Sequence, residues 1–203
     1  MTLLTAWLIA ALLVGSGEDN MLFGTVAGWQ TEVAPITAEL FDGVAFQVVA
    51  QGTIDAHGQL RLALPERLAP TYLQPMTNYL FCGVTPLGAG ETMLAELGSL
   101  KVTLPGGAFA VALASSERAV FPLLAQPGDY RVFFWYTERP QLFEAACEQS
   151  GVDWRYRLEL TPGWNTVVET LTERTGRREV RSVVTQPVPA GASWYALDTV
   201  QRP

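Results

Sequence analysis

The sequence predicts an all-β protein, an antiparallel β-sandwich of Greek-key or meander type. Beyond Asn20, apolar and polar residues alternate in one segment after another, which is typical of half-buried strands. Gly, Pro, Asp and Asn interrupt those segments at hairpin spacing. Of the 203 residues, 49% are apolar, which is enough to bury a core without metals. We therefore expect one domain over residues 18–203. An internal boundary would fall near residues 83–99, and two smaller β-subdomains are the alternative.

The first 17 residues predict a signal peptide. No residue from 3 to 14 is charged, and this run is shorter than the roughly 20 residues that a membrane-spanning helix needs. Small residues at Gly15, Ser16 and Gly17 precede Glu18, as at a signal-peptidase site. The segment before the run has no Lys or Arg. A buried strand or short core helix and a retained anchor are the alternatives.

The residues LLVGS are similar to a bacterial lipobox in which Ser16 replaces the lipidated cysteine. A serine provides no thiol, so a thioether-linked lipid is not expected at this position. Export then implies a periplasmic, envelope-associated or extracellular protein.

The first strands follow from period-two alternation. Three segments each place their apolar residues on one face: Ile36, Ala38 and Leu40; Val44, Phe46 and Val48, opposite Gln47 and Gln51; and Leu60, Leu62 and Leu64, which point inward. Residues 100–113 predict a hairpin that bends at Pro105, Gly106 and Gly107. Its predicted facing sets are Leu100, Val102 and Leu104 against Phe109, Val111 and Leu113.

The second half predicts a central strand and then a meander. Residues 130–136 are apolar on both faces, which suits a strand covered on both sides. Residues 154–160 alternate, with Trp154, Tyr156, Leu158 and Leu160 facing inward. Turns at residues 161–163 and 175–176 then predict a meander of antiparallel hairpins, and residues 193–200 predict a last strand.

Two segments are ambiguous between helix and strand. Residues 91–97 fit either a short helix or a strand. Residues 140–151 have helix-forming composition but alternate between two strands, which favours a strand.

The two cysteines, Cys82 and Cys147, predict a disulfide if the chain is exported into an oxidising compartment. The bridge would close a loop of roughly 66 residues, which the chain-entropy estimate values at about 4 kcal/mol. Two buried free thiols are the alternative.

Motifs for catalysis, metals and cofactors are missing from the sequence. It has no G-x-S-x-G elbow, no phosphate-binding glycine loop, no H-E-x-x-H and no C-x-x-C. Two cysteines and one histidine cannot supply a zinc cluster, and His57 lies in a turn. We therefore predict no catalytic residue, no metal site and no cofactor. A carboxylate pair for hydrolysis stays open, because such a pair is defined by spatial separation.

Charge and aromatic content bear on the partners. The net charge of −7 and the pI near 4.7 argue against nucleic acid. The basic cluster of Arg174, Arg177, Arg178 and Arg181 is a candidate contact for an anionic envelope polymer or protein, or else a solvated hairpin end. Five tryptophans predict core packing or, alternatively, a carbohydrate-stacking platform: Trp29, Trp135, Trp154, Trp164 and Trp194.

Two stretches carry a resemblance to a known group of proteins. GTVAGW and GTIDAHGQLRLALPERLAPTYLQP lie early in the chain, and CEQSGVDWRYRLELTPGWNTV lies late. Together they resemble uncharacterised secreted or lipoprotein-type β-rich proteins of Deinococcus-like bacteria, over roughly residues 24–76 and 130–168. The resemblance implies export and a β fold, and it implies no activity.

The sequence thus predicts an exported, non-catalytic β protein of the periplasm or cell envelope with a structural or interaction role. Its partner would be an envelope protein or polymer, and no integral membrane span is expected in the mature chain. A binding module for carbohydrate or another envelope ligand is the alternative, and a carboxylate-dependent hydrolase is the third hypothesis.

Overall fold

The structure is a computed structural model that describes residues 20–80, 92–104, 109–120 and 124–198. The predicted signal peptide, Cys82 and the bend at residues 105–107 lie outside the described residues, and so does most of the predicted boundary. The described residues form 14 strands and no α-helix. The strands are β1 (Met21–Thr25), β2 (Ala34–Phe41), β3 (Phe46–Ile54), β4 (Gln59–Ala63), β5 (Gln74–Pro75), β6 (Met93–Leu97), β7 (Leu100–Thr103), β8 (Phe109–Ser115), β9 (Tyr130–Thr137), β10 (Gln141–Gln149), β11 (Val152–Leu160), β12 (Gly163–Thr175), β13 (Arg178–Thr185) and β14 (Ser193–Asp198).

Hydrogen bonds join these strands into one sheet network. The order is β1-β4-β3-β2-β7-β8-β9-β12-β13-β11-β10, with β14 paired to β8, β6 to β9 and β5 to β6. All of these pairs are antiparallel except the parallel pair β11–β13. The all-β, mostly antiparallel prediction is confirmed. This pairing does not divide the strands into two separate sheets, and the β-sandwich stays a prediction.

Strands β9 and β12 lie between two hydrophobic cores. Phe134 and Val168 pack into the first core, together with residues from β1 to β4, β7, β8 and β14. Trp135 and Val167 point to the other face and pack into the second core, which β10, β11 and β13 complete. This arrangement confirms that residues 130–136 form a central strand covered on both sides.

The ambiguous and alternating segments are strands. Residues 93–97 form β6, so the helical alternative is wrong there, and residues 141–149 form β10, as favoured. Four inward residues of β11 are buried as predicted: Trp154, Tyr156, Leu158 and Leu160. The inward set of β4 with the residue after it is buried too: Leu60, Leu62 and Leu64. The last strand is β14, antiparallel to β8.

The predicted meander is wrong at β11. Consecutive strands β11 and β12 do not pair, because β12 lies between β9 and β13. Strand β11 instead pairs in parallel with β13. Turn residues show where a strand ends, but the neighbour is decided by burial. Val167 and Val168 are both fully buried, so β12 needs cover on both faces and takes a central position.

The predicted facing set of the β7–β8 hairpin is wrong by one residue. Leu100 pairs with Ala112 and Val102 with Ala110, so the alanines of β8 face the first core. Val111 and Leu113 are only half-buried. Both phases of this strand are apolar, so alternation does not fix the register, and a shift of one residue exchanges the two faces.

A β-bulge overturns the predicted face of β3. Ala50 pairs with Ala38, but the next pair is Val48 with Glu39, so Val49 is an extra residue on β3. Beyond the bulge, Phe46 and Val48 lie on the face opposite the core residues of β2, the same outer face as Gln51. Both are exposed.

Candidate functional site

A cavity of about 510 Å³ opens between β1, the start of β14 and the loop of residues 187–192. We call it the β1–β14 pocket. Its volume lies in the range of pockets that hold small ligands. The residues that define it here are Leu22, Phe134, Trp164, Thr166, Ser193 and Trp194.

Two aromatic rings stack in the wall of this pocket. Phe134 on β9 and Trp194 on β14 have centroids 6.1 Å apart and planes 16° apart. A Cβ on Gly24 of β1 would lie 2.9 Å from the Trp194 ring, so glycine provides the room for the indole. Because the two rings pack against each other, β1, β9 and β14 together form a preorganised apolar surface.

Trp164 contributes a second aromatic wall. It is half-buried and meets Tyr136 edge-on at 5.4 Å. Its indole N–H donates to the carbonyl oxygen of Pro65 at 2.9 Å, and that of Trp194 donates to the carbonyl oxygen of Phe23 at 3.4 Å. Both indole N–H groups are therefore satisfied by the backbone, and the rings offer the pocket mainly carbon.

Polar groups in the pocket are few and neutral. None of the described lining residues is charged. The Asn165 amide is engaged with the neighbouring turn, because its nitrogen donates to the carbonyl oxygens of Thr161 and Gly163. The hydroxyls of Thr166 and Ser193 have no protein hydrogen bond among the described residues. The pocket therefore suits a largely apolar molecule with a neutral polar group.

A second, smaller cavity of about 160 Å³ lies on the opposite face of β9 and β12. We call it the carboxylate cavity, because Glu96 of β6 and Glu169 of β12 both line it, beside Tyr79, Trp135 and Tyr156. Glu96 and Trp135 are direct cross-strand partners. The indole N–H of Trp135 donates to the Glu96 carboxylate at 2.9 Å.

Burial, with a smaller contribution from the charge of Glu169, raises the pKa of Glu96 to about 7, although the hydrogen bond from Trp135 opposes the rise. Burial favours the neutral form of a carboxyl group because the charged form loses its water. Glu96 therefore changes protonation near neutral pH.

Glu169 is buried with a counter-charge. Its carboxylate pairs with Arg181 of β13, whose guanidinium also meets Glu179 at 2.7 Å and lies 5.8 Å from the centre of the Trp154 ring. Arg174 donates from Nε to Glu179 at 3.0 Å. Burial raises the pKa of Glu179, but the hydrogen bonds from Arg181 and Arg174 outweigh it and lower the pKa overall. This chain of ion pairs gives the buried Glu169 carboxylate a counter-charge.

The predicted arginine contact is engaged within the protein. Arg174 and Arg181 belong to the ion-pair chain just described, and Arg178 pairs with Glu148 and Asp153 at 3.2 Å each. Arg177 is exposed in the β12–β13 turn, without an ion pair among the described residues. The structure does not bring the four arginines together as an open anion site, and a partner contact there stays a prediction.

The other predicted residues have mostly structural positions. Trp135, Trp154 and Trp194 are buried, whereas Trp29 and Trp164 are partly buried against the first core. The backbone N–H of His57 donates to Asp55 at 2.8 Å in an exposed turn, as expected. Cys147 lies half-buried on β10 beside the second core. Its disulfide to Cys82 stays a prediction, since Cys82 lies outside the described residues.

No group of three potential metal ligands occurs among the described residues. In the same part of the chain, no helix has the length and apolar character to cross a membrane.

Sequence reasoning did not single out Glu96 or Glu169, although a signal exists for both. Glu169 shares its phase with Val167 and Leu171, two buried residues of β12. Glu96 shares its phase with Leu94 of β6, which is also buried. A carboxylate at an inward position of an apolar strand is costly, so it marks a special site.

Comparisons of the chain with protein families, curated proteins and solved structures give no match. The resemblance to secreted β-rich proteins stays a prediction.

Proposed function

We propose that this chain is an exported, non-catalytic β protein of the bacterial envelope that binds a small, largely apolar ligand in the β1–β14 pocket. The observation that carries the proposal is the pocket itself, about 510 Å³ in volume and lined by aromatic and aliphatic residues without a charge. Pockets of this size and character are typical of small-molecule sites. The envelope location comes from the signal-like residues 1–17.

An amphipathic, lipid-like molecule suits this pocket better than a carbohydrate. Sugar stacking needs exposed aromatic faces, and none of the five tryptophans in the described residues is exposed. Phe134 and Trp194 stack on each other, which occupies one face of each ring. An apolar chain needs only the ring edges and the aliphatic wall, while its neutral polar group can bond to Thr166 or Ser193.

Binding of 1-N-phenylnaphthylamine, a neutral fluorescent probe, tests the proposal. We expect saturable binding of one probe per chain. Thr166→Trp places an indole in the pocket and should weaken binding at least about tenfold, which corresponds to roughly 1.4 kcal/mol. The matched control is Thr175→Trp, the same change at the exposed end of β12. Non-saturable binding, or equal binding by both variants, contradicts the proposal.

A carboxylate-dependent hydrolase is the second candidate, favoured by Glu96 and Glu169 lining one cavity. Glu96 can hold a proton near neutral pH, as a general acid must, and Glu169 forms an ion pair with Arg181 in the same cavity. Against this function, the cavity is small and the Glu169 carboxylate is already bound. This candidate is supported if the wild-type chain hydrolyses aryl glycosides and the Glu96→Gln variant does not. No hydrolysis by the wild-type chain removes it.

A further inference from the structure

The β1–β14 pocket lies where the pairing between β1 and β14 stops. Val26, directly after β1, forms a parallel bridge with Trp194 of β14, and the N–H of Ala27 donates to the carbonyl oxygen of Trp194 at 2.8 Å. Strand β1 itself pairs only with β4 in the part of the chain that the structure describes. Every residue of β1 lines the pocket, and so do residues 187–194. The pocket therefore occupies a gap beside an unpaired strand edge.

The hydrogen bonds between β1 and β4 show which peptide groups of β1 face this gap. In an antiparallel pair, alternate residues direct their N–H and C=O groups to the partner strand, and the residues between them direct these groups away from it. Directly before β1, the N–H of Leu64 donates to the carbonyl oxygen of Asn20 at 2.7 Å. Directly after β1, the N–H of Val26 donates to the carbonyl oxygen of Gly58 at 2.8 Å. The even-numbered residues therefore bond to β4, and the peptide groups of three residues face the gap: Met21, Phe23 and Thr25.

Most of these peptide groups have no partner within the described residues. The carbonyl oxygen of Phe23 accepts the indole N–H of Trp194 at 3.4 Å. No hydrogen bond to a described residue engages the carbonyl oxygen of Met21 or the N–H groups of Phe23 and Thr25. A strand edge of this kind can accept a further extended chain.

The free edge restricts the chemistry of a ligand in this pocket. A purely apolar molecule would remove water from these N–H and C=O groups without replacing their hydrogen bonds, which is unfavourable. A carboxylate or an ester accepts hydrogen bonds but donates none, and no described lining residue is basic. A peptide unit offers a donor and an acceptor at the spacing of a strand, and it carries no charge.

From this geometry we propose that the ligand of the β1–β14 pocket carries an extended peptide unit, which pairs with the free edge of β1 as an added strand does. The inference rests on the proposed function and names the polar part of its ligand. The N–H of the ligand donates to the carbonyl oxygen of Met21, and its C=O accepts the N–H of Phe23. The apolar part of the ligand packs against the aromatic wall of Phe134 and Trp194. The ligand class is therefore a neutral, apolar acylated amino acid or short peptide.

Displacement of 1-N-phenylnaphthylamine by matched neutral compounds tests this inference. N-decanoylvaline methylamide contains one peptide unit and an alkyl chain, and its ester analogue replaces the valine N–H by oxygen. We expect the amide to displace the probe at about tenfold lower concentration, because the ester leaves the Met21 carbonyl without a donor. Acetyl-Leu-Val-Leu methylamide is the peptide arm. Stronger displacement by this peptide than by the decanoyl amide identifies a peptide ligand, and the reverse order identifies an acylated amino acid.

A variant of β1 tests the same pairing from the protein side. Phe23→Pro removes the free N–H and leaves the bonds to β4, since proline is tolerated at a strand edge whose N–H lies outside the ladder. Phe23→Ala is the matched control, because it loses the same ring and keeps the N–H. The decanoyl amide should bind about tenfold more weakly to Phe23→Pro than to Phe23→Ala, whereas the probe should bind both variants equally.

A preference for the amide over the ester, reduced in Phe23→Pro, supports the inference. Equal displacement by the amide and the ester overturns it, and so does equal amide binding by the two Phe23 variants. Probe binding is retained in both of those cases, so the proposed function survives them. Absence of saturable probe binding to the wild-type chain overturns the proposed function and this inference together. If Phe23→Pro does not fold, the comparison of amide and ester on the wild-type chain decides.

Discussion

The β1–β14 pocket and the carboxylate cavity lie on opposite faces of the same two central strands, and they differ in charge. The pocket is lined by Phe134, Trp164 and Thr166, whose polar neighbours are neutral. The cavity is lined by Trp135 and Glu169 of the same strands, together with Glu96. One face of the sheet avoids charge, while the other buries charges that bond to one another.

This difference decides which cavity is open to a ligand. A molecule that binds in the β1–β14 pocket does not need to break the hydrogen bonds that the aromatic side chains of its wall make. In the carboxylate cavity a ligand must compete with the indole of Trp135 for Glu96 and with Arg181 for Glu169. Buried charge networks are costly to break, so the second cavity is expected to influence stability more than binding.

The largest effect on the free energy of unfolding is expected from the ion-pair chain beside the carboxylate cavity. Arg181→Met removes the counter-charge of buried Glu169 and should lower the free energy of unfolding by about 3 kcal/mol. Urea unfolding followed by tryptophan fluorescence measures it. Arg178→Met is the control, because Arg178 pairs at the exposed surface and its loss should leave the midpoint near that of the wild type. Equal losses in both variants would mean that the buried pair of Arg181 and Glu169 stabilises the fold no more than the exposed pairs of Arg178 do.

A smaller effect is expected from the protonation of Glu96. The folded protein keeps this proton up to a pH of about 7, but the unfolded chain loses it near the ordinary glutamate pKa of about 4.3. The folded state thus binds more protons in this window, and stability should fall by about 2 kcal/mol as the pH rises from 5 to 8. Urea titrations across that range measure the slope. Glu96→Gln should remove it, and a slope that survives this substitution rules Glu96 out as its source.

At acidic pH, the change of stability with pH has the opposite sign and a different source. Burial raises the pKa of Asp129, but hydrogen bonds from Gln126, Arg118 and Ser116 outweigh it and lower the pKa overall. Glu179 has a lowered pKa as well. These carboxylates therefore stabilise the fold above the ordinary carboxyl pKa, and their contribution disappears only at more acidic pH, outside the window of Glu96.

The smallest effect is expected on the apolar face. Trp164→Phe deletes the hydrogen bond to the Pro65 carbonyl and should lower the free energy of unfolding by about 1 kcal/mol. No charge is involved, so the loss should be equal at pH 5 and pH 8. A loss that changes with pH would show that the two faces are electrostatically coupled, and the contrast between them would then not hold.

The strand content could be predicted because alternation reports burial locally. Trp154 and Leu158 of β11 are buried where the pattern places them, and Arg155 between them is exposed. The same reasoning failed at β8, whose two faces are both apolar, so no contrast indicated the register. It failed again at β3, where the extra residue Val49 moves Phe46 and Val48 to the outer face.

The candidate site was less accessible from the sequence. The cavity wall of Phe134, Trp164 and Trp194 joins residues that are up to 60 positions apart, and only strand pairing brings them together. Glu96 and Glu169 are 73 positions apart and line the same cavity because β6 and β12 both flank β9. The arginines were found from their clustering in sequence, yet the partners of Arg178 lie on strands β10 and β11, which carry Glu148 and Asp153.

The sequence by itself determined the all-β class, most strand positions and the inward residues of the clearly alternating strands. These properties depend on burial and turn chemistry within a few residues. Tertiary structure alone decided that β11 pairs in parallel with β13, that Phe46 and Val48 face solvent, and that Glu169 faces Arg181. Each of these depends on which strands become neighbours, which is settled by burying both faces of β9 and β12 together.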